Sequence, residues 1–142
     1  MKYDDASWHY GGDYPDNLPN EAAGTHTGMF VAWCMLNELA GELFLEDFPE
    51  DLEKLRSGEF TPGRWFISFC DSKFTDEDLN DLGNDFAAAY YDFDNGEYLT
   101  DYENTLGSEF ETLYHIPDTW DTYNKIEPLI TKKYQAWLKS KS

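Results

Sequence analysis

The run Met29-Phe30-Val31-Ala32-Trp33-Cys34-Met35-Leu36 is the longest apolar stretch of the chain and decides its fold. It is apolar around the whole circumference of a helix, a pattern typical of a helix that is buried on all sides. Eight residues are far too few to span a bilayer as a helix. We therefore predict a central buried helix over residues 22–40 that ends at Gly41.

Start signals after this helix predict two short helices. Asp47 and Pro49 resemble the cap and the first-turn residue of one helix. Thr61 and Pro62 repeat the pattern, although the dense aromatic residues that follow would also suit a strand.

The clearest start signal is Thr75, because Asp78 lies three residues later in a position that resembles a capping box. Apolar residues then recur at helical spacing, and an acidic stripe lies about 100° around the helix from them. The apolar stripe is Leu79, Leu82, Phe86, Tyr90 and Phe93, and the acidic stripe is Asp78, Asp81, Asp85 and Asp92. Because Trp33 and Phe86 both lie on strongly apolar faces, we expect them to share one core.

The remaining segments complete a mainly α fold. We predict a short helix around Tyr98 and Tyr102, a single strand over residues 113–116, and a last helix that opens at Asp118. Pro128 should kink that helix or begin a second one. Glycines and prolines make residues 1–20 an irregular arm. The prediction is one compact helical domain over residues 1–142, with a helical body over residues 21–140 and at most minor strand content.

The two cysteines indicate a reducing compartment. Cys34 lies inside one apolar run and Cys70 ends another, where free cysteines behave as small core residues. The first residues lack the basic and apolar regions of a secretory signal. We therefore expect a soluble, cytoplasmic protein.

The formal net charge of −19 is the most unusual property of the chain. Residues 71–121 contain fifteen Asp or Glu residues and one lysine. Such a field repels nucleic acids and anionic membranes, and it accelerates encounter with basic proteins. We therefore expect a basic protein partner, no nucleic acid and no membrane. The alternative is that the acidity only confers solubility.

The candidate partner-binding surface combines carboxylates with tyrosines, which supply rigid contact area. Its residues are Asp78, Asp81, Asp85, Tyr91, Asp92, Asp94, Glu97, Tyr98, Asp101 and Tyr102. In the alternative interpretation, the tyrosines are buried beneath their own carboxylates.

No catalytic pair, metal site or cofactor site is indicated. The three histidines form no His-x3-His pair, and the segment from Asp92 places Gly96 at the fifth position, whereas a calcium loop needs glycine at the sixth. We therefore predict neither a metal nor a cofactor. An enzyme remains the alternative, with a pocket formed by Trp8, His9, His26 and His115.

Four stretches carry a resemblance to a bacterial family of small acidic proteins. They are residues 2–13 (KYDDASWHYGGD), 25–30 (THTGMF), 73–80 (KFTDEDLN) and 113–120 (LYHIPDTW). That family resembles the immunity proteins that are encoded beside contact-delivered bacterial toxins and bind a cognate effector. The resemblance implies an immunity protein whose partner is a basic toxin domain. A general interaction adaptor outside toxin systems is a further alternative.

Overall fold

The computed structural model describes residues 2–9, 18, 20–92, 96–107, 110 and 112–141. Its α-helices are α1 (Thr25–Leu36), α2 (Pro49–Arg56), α3 (Pro62–Phe69), α4 (Asp81–Phe86), α5 (Tyr98–Leu106) and α6 (Trp120–Lys141). Two short strands, β1 (Lys2–Asp5) and β2 (Lys73–Thr75), pair with each other. Two π-helical turns, Leu43–Asp47 and Ala87–Tyr91, join the helices. The prediction of a mainly α fold with minor strand content is confirmed.

Helix α1 lies at the centre of the core, as its apolar run predicts. Every residue of α1 before Leu36 is buried. Two glycines lie at its contact with α3, where a Cβ atom on Gly28 would be 2.8 Å from the Cα atom of Gly63. The two helices can therefore pack backbone to backbone.

Helix α1 is shorter than predicted and does not reach Gly41. The side chain of Asn37 donates a hydrogen bond to the Trp33 carbonyl at 2.7 Å, and Glu38 has a left-handed φ of 65°. Leu39 and Ala40 are buried beyond the helix end. Both residues are apolar because they contact the core. Their spacing in the sequence would be the same if the helix continued, so the pattern alone does not show where α1 ends.

Aromatic rings from three helices fill the core. The ring centroids of Trp33 and Phe86 are 5.6 Å apart, which confirms that they share one core. Tyr134 of α6 contacts both rings, at 5.2 Å from Trp33 and 5.0 Å from Phe86. Helix α6 continues through Pro128, so the predicted alternative of a second helix beginning there is wrong.

The N-terminal arm is more regular at its start than predicted. Residues of β1 pair antiparallel with β2, with Asp4 opposite Phe74 and Asp5 opposite Lys73. The pairing extends to Ala6, whose N–H group donates to the Ser72 carbonyl at 2.9 Å. The partner strand lies about seventy residues away in the chain, so local sequence gave no signal for this pairing.

The predicted start signals are present, but their details differ. Pro49 and Pro62 occupy the first turns of α2 and α3, as predicted, whereas the cap of α2 is Phe48 and not Asp47. The predicted strand over residues 113–116 is wrong, because Leu113–His115 is a 3-10 turn capped by the Thr112 hydroxyl.

The capping box at Thr75 is also present, but it opens the 3-10 turn Asp76–Asp78 instead of a long helix. Helix α4 begins later, after Asn80, whose side chain accepts the Gly83 N–H group at 2.8 Å. Among the described residues, no helix has both the length and the apolar composition needed to cross a bilayer.

Candidate functional site

Part of the predicted acidic surface is exposed, but it is partly neutralised by α6. Asp81, Asp85 and Glu97 are exposed, and Asp92 and Asp101 are partly buried. Lys133 lies 2.5 Å from Glu97 and 3.7 Å from Asp101, and Lys141 lies 3.4 Å from Asp85. Asp94 is outside the described residues. Of the exposed predicted carboxylates that the structure describes, Asp81 is the one without an ion pair.

Asp78 is buried and does not belong to an accessible surface, which corrects its predicted role. Its carboxylate accepts the Thr75 N–H group at 3.0 Å and closes the capping box. Burial, with the charges of Glu77 and Asp76, raises the pKa of Asp78 to about 6, against the opposing effect of the Thr75 hydrogen bond. The role of Asp78 in the capping box therefore explains why this residue is buried.

The three predicted interface tyrosines, Tyr91, Tyr98 and Tyr102, are also buried, at 1%, 0% and 0% exposure. A ring inside the core cannot contact a partner, so their assignment to the surface is corrected. The Tyr98 hydroxyl donates to the His26 carbonyl at 2.6 Å. The sequence left burial open as the alternative, since an amphipathic tyrosine suits both settings.

An open groove of about 600 Å³ lies between the π-helical turn Leu43–Asp47 and the start of α4. Four exposed carboxylates line it, and its lining contains no lysine, arginine or histidine among the residues that the structure describes. The carboxylates are Glu42, Asp47, Glu77 and Asp81, and we call this feature the acidic groove.

Backbone hydrogen bonds hold the two walls of the acidic groove together. The Gly41 N–H group donates to the Asp78 carbonyl at 2.9 Å, and the Asn80 N–H group donates to the Leu39 carbonyl at 2.9 Å. A Cβ atom on Gly41 would lie only 2.8 Å from the Glu77 carbonyl oxygen. The carboxylates are therefore carried by a fixed frame.

Exposed apolar side chains lie beside these carboxylates. Leu45 lines the groove and is 51% exposed, and Phe48, three residues later, is 46% exposed. They are two of the four large apolar side chains that are exposed in the described part of the chain. An apolar centre with a polar rim is a usual composition of a protein interface.

Sequence reasoning missed most of this groove. It identified Asp81 but not Glu42, Asp47 or Glu77 as site residues. The sequence analysis gave no role to Leu45 or Phe48, and a π-helical turn has no recognised sequence signal that would place them at the surface. Their opposite wall is more than thirty residues away in the chain.

His26, from the alternative enzyme site, lies in a buried polar cluster centred on Asp4. The Thr27 and Tyr91 hydroxyl groups donate to Asp4 Oδ2 at 2.9 and 2.5 Å, and His26 Nε2 lies 3.6 Å from the same oxygen. Burial and the Asp4 charge raise the pKa of Tyr91 well above its ordinary value. Tyr91 therefore stays protonated as a donor, and the cluster ties β1 to α1.

The other members of the alternative enzyme site are not brought together with His26. Trp8 is 54% exposed beneath the Lys2 ammonium group, which lies 5.2 Å from its ring centroid. The side chain of His9 is outside the described residues. His115 lines a separate groove of about 330 Å³, whose lining does not include His26.

We call this second cavity the apolar groove. Its floor is formed by apolar side chains from three segments, and Arg64, His115 and Asp118 supply polar groups. Asp118 caps α3 from outside that helix, because its carboxylate accepts from Thr61 Oγ1 at 2.6 Å, Gly63 N at 2.7 Å and Arg64 N at 3.0 Å. The carboxylate is therefore satisfied by the helix start.

No group of three or more His, Cys, Asp or Glu side chains is arranged to hold a metal ion within the part of the chain that the structure describes. The segment considered as a calcium loop includes residues 93–95, which are outside that part. Cys34 is buried and Cys70 is partly buried, and both are free thiols.

Comparison with known proteins identifies the family of this chain. No curated protein and no solved structure matches the chain significantly. The sequence profile of one family, described as a domain of unknown function (DUF7832), matches residues 2–116 and so includes both walls of the acidic groove. The chain therefore belongs to the DUF7832 family.

Proposed function

We propose that this protein binds a basic protein partner through the acidic groove. The observation that carries the proposal is the combination of four exposed carboxylates with an exposed leucine, Leu45, in a groove whose described lining has no basic residue. A second exposed apolar side chain, Phe48, follows three residues after Leu45. The carboxylates attract a basic surface over a distance, and Leu45 and Phe48 supply apolar area that a partner can cover.

The resemblance to immunity proteins gives the proposal its specific form. In that form, the partner is the toxin domain that the neighbouring gene encodes, and its basic surface enters the acidic groove. Occupation of that surface by this protein would block the toxin from its own substrate. A general adaptor would use the same groove without protecting a cell.

Binding kinetics with the product of the neighbouring gene test the groove directly. We expect the double reversal Glu77→Lys and Asp81→Lys to slow association at least tenfold, because association steering depends on local charge. The wild-type association rate should fall as salt rises from about 0.05 to 0.3 M. Leu45→Ala and Phe48→Ala should instead accelerate dissociation, because they remove contact area.

A matched control separates the groove from net charge. The double reversal Glu103→Lys and Asp121→Lys changes the formal charge equally at exposed positions outside the groove lining. We expect it to change the association rate by less than about threefold. Equal slowing by both double variants would contradict the groove as the binding site.

Protection of cells then separates an immunity protein from an adaptor. Cells that produce the neighbouring toxin should survive when they also produce the wild-type protein, and they should die with the groove double variant. Binding without protection would support the adaptor.

A further inference from the structure

The apolar groove has the size and lining of a small-molecule site. Its volume of about 330 Å³ lies at the lower end of the range for ligand cavities, which is roughly 300–1,000 Å³. Ala22, Ile67, Ile116 and Pro117 give it an apolar interior. A cavity of this size accommodates a compact ligand and not a folded element of a partner.

The charge at this groove differs from that of the rest of the molecule. Arg64 lines it, and its guanidinium group lies over the Phe60 ring at 5.6 Å from the ring centroid. Within the described residues, no carboxylate forms an ion pair with Arg64, although the chain has 29 acidic residues. Among the described residues, this guanidinium therefore has a ring contact but no carboxylate partner.

The carboxylate of Asp118, which is near Arg64 in the groove lining, does not form an ion pair with its guanidinium group. Asp118 lines the same groove, but its oxygens accept from the Thr61 hydroxyl and from the Gly63 and Arg64 backbone N–H groups. The helix start thus holds Asp118 in place and compensates its charge. With three hydrogen bonds already accepted, Asp118 has little capacity left to bind a cationic ligand.

We propose that the apolar groove binds a small organic acid, with its apolar body in the groove and its carboxylate on Arg64. The planar guanidinium suits a carboxylate, because it can donate two parallel hydrogen bonds. His115, whose Nδ1 atom lies 2.9 Å from Thr112 Oγ1, adds a polar group with a fixed ring at the same groove. The net negative charge of the protein opposes the ligand only weakly at physiological salt, where charges are screened beyond about 8 Å.

Titration with octanoate, followed by NMR of the full chain, tests this proposal. Octanoate, octylamine and 1-octanol share one apolar body and differ in the charge of the head. We expect octanoate to shift the signals of Ile67 and Ile116 and to bind about fivefold more tightly than either of the other two. An exposed ion pair contributes up to about 1 kcal/mol, which corresponds to a factor of about five.

Variants locate the carboxylate. Arg64→Gln should weaken octanoate binding about fivefold and leave 1-octanol unchanged, and Arg64→Lys should keep part of the preference. Arg56→Gln is the matched control, because Arg56 is exposed on α2 and does not line the groove. Equal binding of octylamine, an equal effect of Arg56→Gln, or no binding of octanoate below about 10 mM would overturn the proposal. None of these results depends on a protein partner.

Discussion

Asp78 is a carboxylic acid that the fold buries next to two other acids. Its neighbours Asp76 and Glu77 carry further carboxyl groups, and it is only 5% exposed. The Thr75 N–H group stabilises its charged form, but burial outweighs that hydrogen bond and raises the pKa of Asp78 to about 6. In the unfolded chain the same group would titrate near 3.8. The folded protein therefore holds the proton more tightly than the unfolded chain does.

This difference predicts a pH dependence of stability. A raised folded-state pKa gives stability that is complete below about pH 4 and is lost as pH rises to about 6. The shift corresponds to about 3 kcal/mol in the free energy of unfolding. We expect Asp78→Asn, which cannot ionise, to remove this fall between pH 4 and pH 6. Urea unfolding of both proteins across that range measures the difference.

The conservative control for this experiment is Asp81→Asn, because Asp81 is exposed three residues later. A plot of its free energy of unfolding against pH should stay parallel to that of the wild type. If Asp78→Asn and wild type show the same slope between pH 4 and pH 6, Asp78 is not the titrating group.

At the scale of elements, the contact between α1 and α3 depends on the absence of side chains. A Cβ atom at Gly28 would lie 2.8 Å from Gly63 Cα and 2.9 Å from the Pro62 carbonyl oxygen. Those are backbone atoms, which cannot move aside without separating the helices. A side chain at position 28 would therefore destabilise this interface through a steric clash, an effect that helix propensity does not describe.

Gly28→Ala should consequently destabilise the protein, although alanine usually stabilises a helix relative to glycine by about 1 kcal/mol. We expect a loss of about 1 to 3 kcal/mol from overpacking. Gly107→Ala is the matched control, because its Cβ would meet nothing closer than 3.8 Å and its φ of −87° suits alanine. Thermal or urea unfolding should show a lower free energy of unfolding for Gly28→Ala and an equal or higher one for Gly107→Ala. Equal destabilisation by both changes would contradict the steric explanation.

The sequence predicted elements well where their signals are local. The apolar run of α1, the prolines that begin α2 and α3, and the Thr75 capping box each act within a few residues, and each is present in the structure. The cap that Asp118 provides to α3 joins positions 55 residues apart, and no local pattern indicates it. The same limit applies to both grooves, because each has walls from distant segments. Tyr98 and Asp78 were misplaced because polar composition alone does not reveal burial.

At the scale of the whole molecule, the distribution of charge opposes folding. The formal net charge is −19, and ten basic residues face 29 acidic ones. Lysines of α6 pair with some of these acids, Lys133 with Glu97 and Lys141 with Asp85. In the part of the chain that the structure describes, the four carboxylates of the acidic groove form no ion pair. Self-repulsion of this kind destabilises the compact state, and a function in charge-steered binding would explain why it persists.

This trade-off predicts that salt stabilises the protein and that the acidic groove accounts for part of the effect. Raising NaCl from about 0.01 to 0.2 M shortens the screening length from about 30 Å to less than 10 Å, so the melting temperature should rise. The quadruple amide variant Glu42→Gln, Asp47→Asn, Glu77→Gln and Asp81→Asn should melt higher than wild type at low salt and respond less to added salt. The same variant should bind the proposed basic partner more slowly. Calorimetry at both salt concentrations measures the melting temperatures of the two proteins. If the quadruple variant melts lower than the wild type at low salt, these carboxylates make stabilising contacts instead of repelling one another.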